Sequence, residues 1–499
     1  MVIITILILG FILRLVNLNQ SLWLDETVQA LTSKGTFLNL FSELHGDFHP
    51  PLYHLLIWGW AHLLGNGEIA MRLPSVIFGT ATIFIVYLIA KQIVPKKFSI
   101  PTIAALFLAT APFHIYYSQE ARTYALTTFL ASLSFYFFLK IINHSKQGVV
   151  THDRTANVLY VLTTVLMLYS DYYGLFVFLA QIMTTVLIFR QKFSKFLNLY
   201  ILIILLFLPC LPLLWLQLKT GGQATTVLPE WGRLVNLDFL KALPLTFIKF
   251  SIGRITIFNK TFYALAMVIL FLVYGTIIFR GFLKSKKSIN HKSLFIILAW
   301  LFIPILSAWL ISFFVPNYQP FRLLLVLPAF YLLLAYGVLG FSTMILRRII
   351  VGLILVVNLV AVGVYYFNPY FHREDWRGAV NFIEEGSGEG TIALLPSYTS
   401  HFPYTYYSKG KVKLIGIGQD IRPINEDDLK RLSRDLPFSI VNSPFSIYYV
   451  YYLADLFDPQ NLIPNWLESQ KFVKIREVSF NQIRIQEWQR WKQKDDQLK

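Results

Sequence analysis

Leu52-Tyr53-His54-Leu55-Leu56-Ile57-Trp58-Gly59-Trp60-Ala61-His62-Leu63-Leu64 decides the membrane topology of this chain. The run is apolar but only 13 residues long, and a helix that crosses a bilayer core needs roughly 20. His54, Trp58 and His62 recur at every fourth position, so a helix here carries one amphipathic face. The pattern predicts a helix lying in the membrane interface.

The runs on either side are of another kind. The chain has 499 residues, 56% of them hydrophobic, and long apolar stretches recur as far as Phe367. They predict about 11 spanning helices, near 1–18, 73–94, 100–118, 123–141, 157–171, 173–190, 197–217, 261–280, 293–314, 321–341 and 349–367. Every second connection is basic. The five near Lys96-Lys97, Lys140 to Arg154, Arg190 to Lys195, Arg280 to Lys292 and Arg347-Arg348 hold 15 Lys and Arg and one acid, Asp153. Short basic connections stay in the cytoplasm. The segments 19–72, 119–122, 218–260, 315–320 and 369–499 are then external. A spanning 52–64 helix would invert this and turn the 15 cations outward. The first apolar run lacks a basic start and a small-residue cleavage site, so it reads as a retained helix, with Arg14 snorkelling to the headgroups.

The net charge of +17 belongs to residues 1–368, because 369–499 carry 17 bases and 17 acids. Cations in short loops between apolar runs are a membrane pattern and do not indicate nucleic acid as a partner. The single cysteine, Cys210, rules out an intramolecular disulfide. No Gly-x4-Gly-Lys-Ser/Thr, His-Glu-x2-His or Gly-x-Ser-x-Gly occurs. His45 and His49, four apart around Asp47, make only a weak metal pair beside Pro50-Pro51. Residues 369–499 alternate strands (391–395, 411–417, 446–452, 472–485) with helices (376–385, 425–434, 459–470), which predicts a small α/β domain.

Residues 1–368 contain ten acids: Asp25, Glu26, Glu43, Asp47, Glu68, Glu120, Asp153, Asp171, Glu230 and Asp238. On this topology all but Asp153 lie at the external face, where carboxylates can take protons or grip a divalent cation. In Trp23-Leu24-Asp25-Glu26, either acid could be a general base or a helix cap. His49, fixed by Pro50-Pro51, could donate to a phosphate or sugar hydroxyl, or be structural. Gln119, Glu120 and Arg122 sit in a very short connection and can point into a shared cavity. Arg72 and Arg322, beside Pro74 and Pro320, suit bidentate phosphate binding or headgroup anchoring. The basic segment Lys219 to Lys260 is a second place for a phosphate.

Taken in order, Leu13-Arg14-Leu15, Trp23-Leu24-Asp25-Glu26, His49-Pro50-Pro51-Leu52-Tyr53, Arg72-Leu73-Pro74-Ser75 and Ser118-Gln119-Glu120-Ala121-Arg122-Thr123-Tyr124 resemble the GT-C membrane glycosyltransferases. The likeness is to bacterial relatives of protein O-mannosyltransferases and lipid A aminoarabinose transferases. Ser170-Asp171-Tyr172-Tyr173, Pro320-Phe321-Arg322 and Glu374-Asp375-Trp376-Arg377 are weaker echoes, and many relatives have His near the place of Asp171. The resemblance implies a GT-C transmembrane domain, 1–368, with interfacial helices in its first external loop, and an extracytoplasmic α/β domain, 369–499. It implies a multi-pass protein of the cytoplasmic (inner) membrane. Such a protein moves a sugar from a polyisoprenyl-phosphate donor to an extracytoplasmic lipid, polysaccharide or protein acceptor. By position, Asp25 would be the catalytic base or acceptor-binding acid, with Glu26 beside it. His49, Tyr53, Arg72, Gln119, Glu120, Arg122, Tyr124, Asp171 and Arg322 would bind substrate, with membrane lipids as surroundings. The rival readings are a transporter or flippase, which would place ionisable groups near the midplane, and a non-catalytic assembly protein for lipid-linked glycans.

Overall fold

The structure is a computed structural model that describes all residues except 39, 41–46, 94–98, 145–153, 289–290, 389, 436–444 and 491–499. Glu43, His45, Asp153, the Lys96-Lys97 connection and most of the 140–154 connection lie outside the described residues.

Each of the apolar runs coincides with a helix: α1 (Val2–Leu15), α4 (Glu68–Ile93), α5 (Ser99–Thr110) with α6 (Pro112–Ser118), α7 (Tyr124–His144), α8 (Arg154–Ser170), α9 (Gly174–Ile188), α10 (Phe193–Phe207) continuing as α11 (Leu211–Val227), α13 (Lys260–Ser288), α14 (His291–Ile311), α15 (Leu327–Val338) and α16 (Met344–Phe367). Among the described residues, further helices between them include α2 (Leu24–Thr32), α3 (Leu52–Leu64) and α12 (Phe239–Ile252). Among the described residues, 7 helices are long and apolar enough to cross a membrane, or 8 if α5 and α6 form one broken span.

The two flanks of α3 meet the same end of the bundle. Arg72, on the far side of α3, bonds to Glu26, and Glu26 accepts from the Ala121 N–H. His49, on the near side, lies beside Arg122. A crossing helix would separate these groups by the thickness of the bilayer core, about 30 Å. The other connections read as external arrive at that end too. Gln217 bonds to the His49 carbonyl, Arg254 to the Tyr116 hydroxyl and Tyr173 to Asn317. At the opposite end, Lys192 bonds to the Ile142 carbonyl, Lys292 packs over Phe189 and Arg280 over Phe341.

Two expectations change here. The 100–118 run is broken, with a 59° bend between α5 and α6. Pro112 at the first turn of α6 cannot donate to the carbonyl of Leu108. Arg14 takes up the freed carbonyls and so does not snorkel. It is fully buried, donates to the carbonyls of Gly10, Ala109 and Leu108, and lies 2.6 Å from His114 Nδ1. Gly79 gives it room, because a Cβ there would meet Ser118 Oγ at 2.1 Å and Arg14 Nε at 3.1 Å.

After α16 the chain enters a five-stranded sheet: β1 (Ile392–Ser397), β2 (Lys413–Gly418), β3 (Phe445–Tyr451), β4 (Val473–Phe480) and β5 (Ile483–Arg490), in the order β2-β1-β3-β5-β4. β1 runs parallel to β2 and β3, while β5 runs antiparallel to β3 and β4. α17 (Trp376–Glu385) packs on one face through Trp376, Val380 and Ile383. The expected single strand 472–485 is instead part of a hairpin. Asn481 and Gln482 both have positive φ (31° and 70°), as a tight hairpin turn requires. The Asn481 amide donates to the carbonyls of His372 and Arg373, so the hairpin tip fixes the linker into the sheet.

Candidate functional site

The two adjacent acids divide the two roles open to them. Trp23 is the N-cap of α2, and its N–H reaches Glu26 Oε2 at 3.5 Å, so Glu26 does the capping. Glu26 is fully buried. It holds Arg72 through both oxygens (2.8 and 2.5 Å) and also accepts from the Ala121 N–H at 2.8 Å. Arg72 donates its remaining N–H groups to the carbonyls of Leu18, Gln20 and Ser21. Every Arg72 donor is thus taken by the chain itself. This corrects the expectation that Arg72 meets a substrate phosphate, and it makes Glu26 a positioning acid for the first loop.

Asp25 points the other way. Its side chain is 36% exposed and lies 3.4 Å from Arg122. Arg122 also reaches Asp47 at 3.6 Å and His49 Nδ1 at 3.2 Å. Asp47 lies 2.8 Å from His49 Nδ1 and 3.1 Å from His54 Nε2. Burial pushes the Asp47 carboxyl up, but Arg122, His49 and His54 outweigh it and hold it well below the usual carboxylate range. Two buried donors of this cluster, His49 Nε2 and Arg122 Nε, have no partner among the described residues. Arg322 Nε and Trp23 Nε1 are the same, and buried donors left over in this way suit a ligand. No group of three His, Cys, Asp or Glu side chains among the described residues is placed to hold a metal ion.

Glu120 and Tyr124 line a polar cavity of about 720 Å³. Glu120 pairs with Arg373 at 3.1 Å, and burial nonetheless pushes its carboxyl up. Arg373 and Arg254 both lie over the ring of Tyr116, at 4.6 and 4.9 Å from its centroid. Lys249 also lines the cavity; burial first, then Arg254, pulls its ammonium down to about 8. Tyr124 stands edge-on to Phe321, Tyr117 and His49. Arg322 is half-buried beside Tyr124 and Tyr173.

Two of the expected substrate residues, Gln119 and Asp171, serve the framework. Gln119 donates to the carbonyls of Arg14 and Val16 and accepts from Tyr365, so it ties α1, α6 and α16 together rather than facing the cavity. Asp171 accepts from the Tyr173 N–H at 2.9 Å and shapes the turn between α8 and α9. Tyr53 is buried on α3 within the main core.

Lys249, Arg254, Arg373 and Glu374 line the cavity but were not singled out as site residues from sequence. Two signals were available: the basic segment Lys219 to Lys260 contains Lys249 and Arg254, and the Glu374-Asp375-Trp376-Arg377 echo marks the other wall. Beside the cavity lies a groove of about 620 Å³ lined almost wholly by apolar side chains of α12–α15, among them Phe247, Phe250, Phe271, Leu301 and Phe330. α12 divides the two, with Lys249 on the cavity and Phe247 and Phe250 on the groove.

This helical bundle, with its looped first segment and attached sheet, has the fold of the GT-C membrane glycosyltransferases. Residues 48–215 match the family model described as dolichyl-phosphate-mannose-protein mannosyltransferase. ArnT from Cupriavidus metallidurans bound to undecaprenyl phosphate is similar over 97% of each chain, at 13% identity and a TM-score of 0.57. The oligosaccharyltransferase AglB from Archaeoglobus fulgidus, in complex with an inhibitory peptide and a dolichol-phosphate, is similar over 93% of this chain and 72% of its own, at 13% identity and a TM-score of 0.53. No curated relative matches the chain.

Proposed function

We propose that this protein is a membrane glycosyltransferase that takes a sugar from a polyisoprenyl-phosphate donor and passes it to an acceptor outside the cytoplasm. The observation that carries this reading is the polar cavity set against an apolar groove across one helix, α12. A polyprenyl phosphate has the same division: an apolar tail that does not leave the bilayer and an anionic head that needs cations. Lys249 and Arg254 line the cavity and hold the phosphate, where they stabilise the charge that develops as it leaves. Asp25, at the mouth of the first loop, binds and polarises the acceptor nucleophile; Arg122, Asp47 and His49 hold it in place. The matched family and the neighbours bound to lipid phosphates support the donor class.

The experiment is binding of undecaprenyl phosphate to purified protein in nanodiscs, read by native mass spectrometry. Arg254→Gln is expected to weaken binding by roughly 1.5–3 kcal/mol, about tenfold to a hundredfold. Equal binding by the parent and the variant would remove Arg254 from the phosphate site.

Orientation follows from the basic connections. A reporter fused after Arg348 is expected in the cytoplasm and one fused at Lys499 outside, in the cytoplasmic membrane of a bacterial host. Paired phosphatase and fluorescent-protein fusions check this, and an external signal after Arg348 would reverse the assignment.

A further inference from the structure

Glu374 is placed where the linker from α16 meets the sheet, and its side chain lines the polar cavity. Its carboxyl is held from the sheet side by neutral donors. Trp376 Nε1 donates at 2.9 Å, and the Tyr452 hydroxyl lies 3.2 and 3.1 Å from the two oxygens. Trp376 and Tyr452 stand edge-to-face at 4.8 Å in the sheet core, so neither donor is free to swing away. The backbone before Glu374 is fixed as well, by Asn481 on the carbonyls of His372 and Arg373.

The other acids of the site, Glu120 on the cavity wall and Asp25 in the first loop, are differently placed. Asp25 is engaged by Arg122 and Glu120 by Arg373, whereas Glu374 has no cation within ion-pair distance among the described residues. Burial pushes the Glu374 carboxyl up to about 7; the hydrogen bonds from Trp376 and Tyr452 and the charge of Arg254 oppose this, and the charge of Asp25 adds to it. Glu120, Arg373, Lys249, His372, Tyr116, Tyr117, Tyr124 and Tyr370 are the remaining charged or titratable groups lining the cavity. A proton acceptor works best when its own titration lies near the working pH.

We propose that Glu374 takes the proton from the acceptor nucleophile, so that the C-terminal sheet unit is part of the catalytic site. This inference rests on the glycosyl-transfer reading above. In this reaction Asp25 polarises the nucleophile and Glu374 accepts its proton. The acceptor O–H or N–H bond breaks and its proton goes to Glu374. The bond from that oxygen or nitrogen to the anomeric carbon forms. The bond from that carbon to the phosphate oxygen breaks, and its electron pair leaves on the polyprenyl phosphate.

The test measures transfer from a polyprenyl-phosphate-linked labelled sugar in membranes against pH, with undecaprenyl phosphate binding followed in parallel. The parent rate is expected to rise through about pH 7 and level off, as the carboxyl ionises. Glu374→Gln is expected to lose that limb and at least about 100-fold in rate, with lipid-phosphate binding unchanged. Tyr452→Phe removes a hydrogen bond that favours the carboxylate, so its limb is expected at higher pH, with transfer retained. A Glu374→Gln protein that keeps both the rate and the limb of the parent overturns the inference and leaves glycosyl transfer standing. So does one that loses lipid-phosphate binding, which would make Glu374 a structural or donor-side residue. A parent that neither binds the lipid phosphate nor moves the label refutes the transferase reading itself, and this inference with it.

Discussion

An Asp25→Asn protein is expected to insert, fold and bind lipid phosphate as the parent does, and to transfer sugar about 100-fold more slowly. Two features of the site lead to this result. The Asp25 side chain is 36% exposed, while Glu26 beside it is fully enclosed. It is oriented by Arg122, itself fixed by Asp47 and His49. Asparagine keeps the shape and one acceptor oxygen but cannot polarise a nucleophile as a carboxylate does. Folding should be spared, because Arg122 retains Asp47 and asparagine keeps an acceptor oxygen toward it. Transfer of a labelled polyprenyl-linked sugar in membranes checks the rate. An unchanged rate would take Asp25 out of the mechanism.

The second large effect is on stability. Arg72→Met leaves Glu26 buried and unpaired and removes the donors to the carbonyls of Leu18, Gln20 and Ser21. Breaking a buried ion pair by removing one partner costs about 3–5 kcal/mol. The expected result is a much lower unfolding temperature and poor yield. Arg72→Lys is expected to be impaired in the same direction, because an ammonium has three donors and no planar fork. If instead Arg72→Lys melts like the parent and loses only lipid-phosphate affinity, Arg72 belongs to the donor site and its framework role is wrong.

The positions of the long apolar helices could be read from the sequence, because apolar length is a local property. The interfacial placement of Leu52–Leu64 could be read for the same reason, since thirteen residues fall short of a bilayer core. What could not be read was where each polar side chain spends its hydrogen bonds. Arg72 and Arg122 are both arginines at helix ends near the first loop. One satisfies three carbonyls and a buried acid, and the other keeps an unpartnered Nε beside the site. That difference is set by the fold of residues 18–26, which no periodicity reveals. Arg14 likewise looked like a headgroup anchor, because the break at Pro112 that supplies its acceptors lies about a hundred residues away. Asn481-Gln482 was hidden within an apparently continuous strand, since its turn comes from positive φ and not from glycine or proline. Arg254, Arg373 and Glu374 come from connections that gather only in three dimensions.

The central claim is that this chain moves a sugar off a lipid phosphate at the Asp25 face of the bundle. The most direct measurement loads membranes containing the parent or Asp25→Asn protein, at equal amounts, with a polyprenyl-phosphate donor carrying a labelled sugar, and follows the label out of the donor pool. The account predicts that label leaves the donor and polyprenyl phosphate accumulates with the parent but not with Asp25→Asn. Label that stays on the donor in both, or leaves it equally in both, contradicts the account.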